Sequence, residues 1–280
     1  MEYIELIPSR LFKPFIRCYW SLQSNGVLES ERITPDGCPE IILNRADRFE
    51  RVGPDGSRHL QAEILLVGPI QRAIEIAPTG VVDLFGIRFE PGGLHALLGM
   101  PIHEVEDEDL CLGLIESKLR DELSLVKSSS NLLSQASQVE AAFARQFEAR
   151  GIQGGTRSAL GLVGSAVNLI ESGVYSVAQL SESLGVNRRA LERLFRSEVG
   201  LSPKVFARIQ RLQNVLVHLD GKFIVPNWTQ LALNHGFSDQ SHLIREFRGM
   251  TGTTPELYLA ERTEFSNCFD PGDLSHSSNT

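Results

Sequence analysis

The sequence is short of the features that would place it in a membrane, in a disulfide scaffold or among enzymes of familiar design. Its four cysteines, Cys18, Cys38, Cys111 and Cys268, are scattered and form no C-x-x-C pair. That spacing offers neither a disulfide framework nor a zinc knuckle, and it suits a reducing compartment. No apolar run approaches the length of a membrane span, and the opening "MEYIELIPSR" has no basic stretch leading into an apolar one. Neither a transmembrane helix nor a secretory leader is expected, and the expected location is the cytoplasm. His59, His95 and His103 lack the H-x-H spacing of a metal-binding barrel, no serine stands in G-x-S-x-G, and no G-x-G-x-x-G opens a helix. The expectation is a chain that is not an enzyme and has no catalytic residue, no metal site and no cofactor.

An overall excess of positive charge is also missing. The net charge is −8 at pH 7, which argues against a protein that coats nucleic acid without preference, because such binding runs on neutralised phosphates. The charge is unevenly spread, however. Residues 1–150 carry a net −8, whereas residues 157–255 carry +4. An acidic half followed by a basic one points to two domains with separate jobs. The composition, 42% hydrophobic and 22% charged over 280 residues, is that of a globular protein long enough for two cores.

What is present begins with short runs rich in Ile, Val, Leu and aromatic residues: "FIRCYWSL", "CPEIILN", "AEILLVG" and "VVDLFGIRF". The turn signals "TPDG", "GPDG", "APTG" and "EPGG" accompany them, and the spacing predicts a small β-barrel or sandwich over about the first 100 residues. Helical periodicity then takes over. "IESKLRDELSLV" is one helical candidate, and Leu132, Ala136, Val139, Phe143 and Phe147 make a single apolar stripe. That stripe is expected to pack on the β-core, with segment 115–149 also the candidate contributor to a homodimer. "EARGIQGGTRS" breaks the pattern and marks the expected linker. From Ser158 onward the reading is helical. Leu160, Val163, Val167 and Ile170 form a stripe closed by Gly173, and "SPKVFARIQRLQNVLVHLD" predicts a rod of roughly 27 Å. The fold class expected is α+β. A β-barrel or sandwich-like domain with C-terminal helices spans 1–150, an all-α domain spans 156–265, and a polar, disordered tail spans 266–280.

The all-α part writes one phrase twice: "GVNRRALERLFRSEVGLSP" from Gly185 and "GFSDQSHLIREFRGMTGTTP" from Gly236. Ser176 with Gln179, and Asn227 with Gln230, match the spacing of a helix cap and its third helical residue. The small residues Ser181 and Ala232 stand four before each glycine, which lets a second helix approach the first across a sharp turn. Asn187 and Ser238 are the expected caps of those second helices. Their apolar sides hold Leu191 and Phe195, or Leu243 and Phe247. Gly185 and Gly236 are 51 apart, but Leu191/Leu243 and Phe195/Phe247 are 52 apart, so the second copy gains one residue at the turn or first helical turn. The reading is two helix-turn-helix units. A helical solenoid is the alternative, but it needs three or more repeats.

The segment from about Ser158 to Thr263 resembles the AraC/XylS family of bacterial transcription regulators, on those two phrases and above all on "GFSDQSH" followed by "REFR". His235 and Thr254 depart slightly from the usual pattern. The resemblance implies a seven-helix domain whose two recognition helices enter successive major-groove segments of double-stranded DNA. "FIRCYWSL", "TPDGCPEIILN", "LLVGP" and "GIRFEPGGLHALLG", within about 3–115, resemble a sensor-like domain that precedes this unit in some such regulators. Related DNA-repair proteins carry a zinc-bound cysteine cluster that this chain lacks.

A recognition helix presents its N-terminal, solvent-facing residues to base edges. In the first copy these are Arg188, Arg189, Glu192 and Arg193. Arg189 and Arg193 suit guanine, and Glu192 suits a cytosine amino group. In the second they are Gln240, Ser241, Ile244 and Arg245, with Gln240 suited to adenine and Ile244 to a thymine methyl. Arg196 and Arg248 are candidate phosphate contacts. For every arginine the competing reading is a solvated surface group, while Trp228 and Phe237 read as core. In the first half the candidate effector contacts are Asp36, Glu40, Arg88 and Glu90. "TPDG" reads first as a turn, and Arg88 and Glu90 read first as a solvated strand face and only second as pocket walls. The further candidate partners are RNA polymerase, a small-molecule effector and a second copy of the chain, with no membrane. Rival functions are a constitutive regulator, an architectural DNA-binding protein and an enzyme fused to a DNA-binding domain.

Overall fold

A computed structural model describes residues 1–26, 29–126, 131–151, 160–219 and 227–260, without the side chains of 149 and 150. The expected linker around 152–157 and the expected tail at 266–280 lie outside the described residues. The first half holds the strands β1 (Glu2–Leu6), β2 (Ile16–Ser24), β3 (Glu31–Ile33), β4 (Glu40–Asn44), β5 (Phe49–Val52), β6 (Arg58–Leu60), β7 (Ile64–Val67), β8 (Ile74–Pro78), β9 (Val82–Phe89) and β10 (Asp109–Cys111). They form two antiparallel sheets, one ordered β1-β2-β9-β4-β7-β10 and the other β3-β8-β5-β6. The four apolar runs of the sequence are β2, β9, β4 and β7, the adjacent centre of the larger sheet. The strands that the apolar pattern does not reveal are short and partly exposed, β6 throughout.

The central strands are buried on both faces. Along β9, Phe85, Ile87 and Phe89 join one apolar cluster with Phe15, Tyr19 and Ile41. Val82 and Leu84 point the other way, into a second cluster with Trp20, Leu22 and Phe49. The first face is covered by helices and the second by the smaller sheet. Trp20 lies opposite Gly86, and a Cβ at Gly86 would stand 1.9 Å from the indole. Only glycine lets the ring rest on that backbone.

Behind the sheets come α1 (Gly93–Leu98), a 3-10 turn at Ile102–Val105, α2 (Leu112–Ile115), α3 (Ser117–Val126) and α4 (Leu132–Arg150). Asn131 caps α4, its side chain accepting from the backbone of Leu133 and Ser134. The α4 stripe is used up on the β-core. Phe147 packs on Phe15 and Phe12 with ring centroids 4.6 and 5.6 Å apart, and Phe143 meets Phe89 at 5.9 Å. Each such ring contributes about 1.5–3 kcal/mol through burial. A dimer through 115–149 is therefore left with the outer face, where Leu125 and Leu133 are exposed.

The second half is helical: α5 (Gly161–Glu171), α6 (Val177–Leu184), α7 (Arg188–Glu198), α8 (Pro203–Leu219), α9 (Trp228–Asn234), α10 (Gln240–Thr251) and α11 (Pro255–Ala260). Seven helices among the described residues match the number that the resemblance implies. Their core is apolar and separate, built from Val167, Leu180, Phe195, Phe206, Leu216, Phe247 and their neighbours. Trp228 and Phe237 are part of it, as expected.

The two halves touch along several lines. Gln213 Nε2 donates to the carbonyl of Pro35 at 2.6 Å, and Gln210 Nε2 to that of Asp36 at 3.2 Å. Gly37, at φ +81°, lies under the ring of Phe206, where a Cβ would come within 2.7 Å. The backbone N–H of Ala73 donates to Met250 O at 2.6 Å. Arg17 pairs with Glu171 of α5 at 3.7 Å.

Candidate nucleic-acid interface and interior cavity

The two helix pairs are built alike until the turn. In the first, α6 ends at Gly185, at φ +64°, and the N–H of Val186 closes the turn on Ser181 O at 3.0 Å. In the second, Gly236 has φ +76° and the N–H of Phe237 closes on Ala232 O at 2.9 Å. Then the copies diverge. Asn187, two after its glycine, caps α7 by accepting from Ala190 N at 2.8 Å. The expected cap Ser238 does not fill that role. Asp239, three after its glycine, accepts from His242 N at 2.7 Å and caps α10. The added residue of the second copy thus lies between glycine and cap, and it moves the capping position onto Asp239. The hydrogen bond from the His242 backbone holds the Asp239 carboxyl below its ordinary range. Asn227 caps α9 through Gln230 N, whereas Ser176 stands at the cap of α6 without a side-chain bond.

Capping sets the phase of each helix and so what it shows to solvent. Helix α7 buries Leu191 and Phe195 and leaves Arg188, Arg189, Arg193 and Arg196 exposed. Arg188 Nε donates to Glu192 Oε1 at 3.0 Å, an exposed i,i+4 pair that gives way to a stronger partner at little cost. Helix α10 buries Leu243 and Phe247 and exposes Ser241, Arg245 and Arg248, with Ile244 half-buried. Ser241, Ile244, Arg245, Arg248 and Gly249 line one shallow concavity. Gln240 is held by the hydroxyl of Thr229 at 3.2 Å. Among the described residues Arg189, Arg193, Arg245 and Arg248 form no ion pair, so their charge and N–H donors are unspent.

Helix α8 joins the pairs. Its 17 residues span about 25 Å. Arg208 pairs with Glu246 of α10. Arg211 lies over the rings of Tyr175 and Phe237, 5.5 and 5.1 Å from their centroids, and donates to Gly236 O at 3.1 Å. One helix thereby grips the entry to the first pair and the turn of the second. Arg196 stands apart from the other candidates, at the seam between the halves. Its carbonyl meets His103 Nδ1 at 3.2 Å, and it shares a cleft with Glu106 and Asp107.

In the first half, Asp36, Glu40 and Arg88 come together in a cavity between the two sheets, and Glu90 does not join them. Arg88 Nε donates to Glu40 Oε1 and lies 3.7 Å from Asp36 Oδ2. Glu90 instead pairs with Arg17 at 3.2 Å. The solvated strand face expected for Arg88 and Glu90 is corrected: Arg88 is 7% exposed, because the second sheet covers that side of β9. "TPDG" is a turn as expected, with Asp36 accepting from Cys38 N at 2.8 Å, yet the same Asp36 lines the cavity. Burial pushes the Glu40 carboxyl above its ordinary range against the pull of Arg88. Burial also raises the Cys38 thiol, which keeps it from acting as a thiolate. The sequence reading missed Trp20 and Asn44 as cavity walls, and Gln210, Gln213 and Arg17 as contacts between halves. A glutamine at 213, four after Ile209 on the buried side of α8, was the one visible signal.

A family described as a helix-turn-helix domain matches residues 180–261, and a domain of unknown function, DUF6597, matches residues 4–110. No curated protein matches the chain. Among solved structures, ToxT from Vibrio cholerae is similar over 86% of this chain and 98% of its own, at 13% identity and a TM-score of 0.47. Wild-type ToxT with bound unsaturated fatty acid covers 86% and 93%, at 12% identity and a TM-score of 0.45. The AraC-like transcriptional activator CuxR covers 79% and 96%, at 12% identity and a TM-score of 0.30. Among the described residues no helix is long and apolar enough to cross a membrane.

Proposed function

We propose, from the premise that this chain is a DNA-binding, non-catalytic helix-turn-helix regulator of the AraC/XylS type, that α7 and α10 enter successive major-groove segments of one asymmetric site. The observation that carries this reading is the pair of capped helices with unspent arginines at equivalent positions, Arg193 and Arg245, held by one helix. Arg189, Arg193 and Arg245 read guanine; Glu192, once released from Arg188, reads cytosine; Gln240, Ser241 and Ile244 read the second segment; Arg188, Arg196 and Arg248 hold phosphate. Arg196 does so from the rim of the cleft that it shares with Glu106 and Asp107.

The division into a sensing domain at 1–150 and a DNA-binding domain at 156–265 is part of the proposal, supported by the separate cores. A small effector in the cavity modulates DNA binding through the 33–38 segment. Ile33, Thr34 and Asp36 line the cavity, while Pro35, Asp36 and Gly37 rest on α8. RNA polymerase and a second copy of the chain are further partners of this reading. Selection of bound DNA from a random pool with the full chain tests it. The expected result is two enriched segments centred about one helical turn (~34 Å) apart. A single segment, or no enrichment over random DNA, overturns it.

A further inference from the structure

We infer that the cavity between the sheets takes a small neutral molecule with a hydrogen-bonding head, of the amide or alcohol class, in preference to an ion. This rests on the sensor reading above and deepens it. The cavity is about 70 Å³, room for a few non-hydrogen atoms on the scale where one water needs roughly 10–15 Å³. Its walls are largely apolar, among them Trp20, Ile42, Phe49, Ile76 and Leu84.

Strand register sets the polar groups. Glu40 lies opposite Arg88, and Asn44 opposite Leu84, on the same face of β4. At the Arg88 end the guanidinium already faces two carboxylates, Glu40 and Asp36. An incoming carboxylate would be a third anion around one cation, away from water, where charge is costly unless fully matched. An incoming ammonium would meet one carboxylate in excess, but it would have to leave water and share with Arg88 the oxygens that the guanidinium faces, Glu40 Oε1 and Asp36 Oδ2. Arg88's charge is therefore spent, but its donors are not. Among the described residues its hydrogen bond runs from Nε, and neither Nη engages an acceptor. Further along β4, Asn44 is 2% exposed. Its Nδ2 donates to Ala62 O at 2.9 Å, while its Oδ1 is buried with no partner among the described residues. Spare donors on Arg88 and a spare acceptor on Asn44, beside a guanidinium already faced by two carboxylates, complement a molecule that both accepts and donates and carries no charge.

The test uses the full chain and three four-carbon probes at neutral pH: butanamide, butanoate and butylammonium. Binding is followed by ligand-observed saturation-transfer NMR and calorimetry. Butanamide is expected to bind at least tenfold more tightly than either ion. Ile42→Phe, which fills the cavity without touching its polar groups, should abolish binding with an unchanged circular-dichroism spectrum. Arg88→Met, where folded, should erase the amide's advantage. Equal or tighter binding of butanoate or butylammonium overturns the ligand class and leaves the sensor reading standing. No binding by any probe, or binding that survives Ile42→Phe, overturns the cavity as a ligand site and the sensor reading with it.

Discussion

The two halves of this chain use arginine in opposite ways. In the β-rich half, Arg88 is turned inward and held by Glu40 and Asp36. In the helical half, Arg189, Arg193 and Arg245 are turned outward from an apolar core and hold no carboxylate among the described residues. The first arrangement exchanges water for fixed partners, so the charge serves the interior and cannot attract anything at a distance. The second leaves charge where water and counterions surround it, ready to be exchanged for phosphate or a base edge. The lesson is that the net charge of the chain does not describe its helical half. A chain of −8 carries an exposed row of arginines, unpaired among the described residues, because its acid is concentrated elsewhere.

The contrast can be broken most severely from the inside. Arg88→Met leaves the buried Glu40 and the half-buried Asp36 without their cation and should cost about 3–5 kcal/mol of stability, read by urea denaturation. A neutral result would mean that the pair is solvated and that the interior is not what distinguishes this half. Next come Arg193→Ala and Arg245→Ala. Each should leave the denaturation midpoint nearly unchanged, yet cost about 1–3 kcal/mol on the preferred DNA and relax selection at one base pair. Equal weakening on specific and random DNA would reassign both to phosphate.

A smaller effect sharpens the comparison between the two helix pairs. Asn187→Ala removes the cap that sets the phase of α7 and should cost about 1 kcal/mol. Ser176 makes no side-chain cap bond, so Ser176→Ala should cost less, about 0.5 kcal/mol at most. Comparable losses at both positions would show that cap geometry does not separate them.

The smallest effect is a pH dependence. The Glu40 carboxyl is held above its ordinary range in the folded chain, first by burial. The folded state then binds the proton more tightly than the unfolded one between the unfolded value and the raised value. Stability from this group therefore falls as pH rises through that window. Glu40→Gln, which takes no proton, should flatten that segment of the stability–pH curve; an unaltered curve would place the dependence on another group.

Much of this was written locally. The central strands, the α4 stripe, the long α8 helix and the doubled unit are periodic patterns. Periodicity and turn chemistry act between residues a few positions apart, so they survive in one dimension. The surplus residue in the second copy was countable from the spacing of Gly236 and Leu243. Only the three-dimensional packing decided the rest. Whether Arg88 meets water depends on a second sheet formed by strands too short and exposed to announce themselves. Which residue caps α10 depended on how the chain leaves Gly236, and that gave Asp239 the role that Ser238 was expected to fill. The hold of Pro35 and Asp36 on Gln213 and Gln210 joins residues 178 and 174 positions apart, a separation at which no local pattern carries information. Sequence alone thus determined the central strands, the α4 stripe and the doubled helical unit with its apolar faces. Burial on both sides of a strand, and the contact between halves, belonged to the fold, because each depends on what another part of the chain brings opposite.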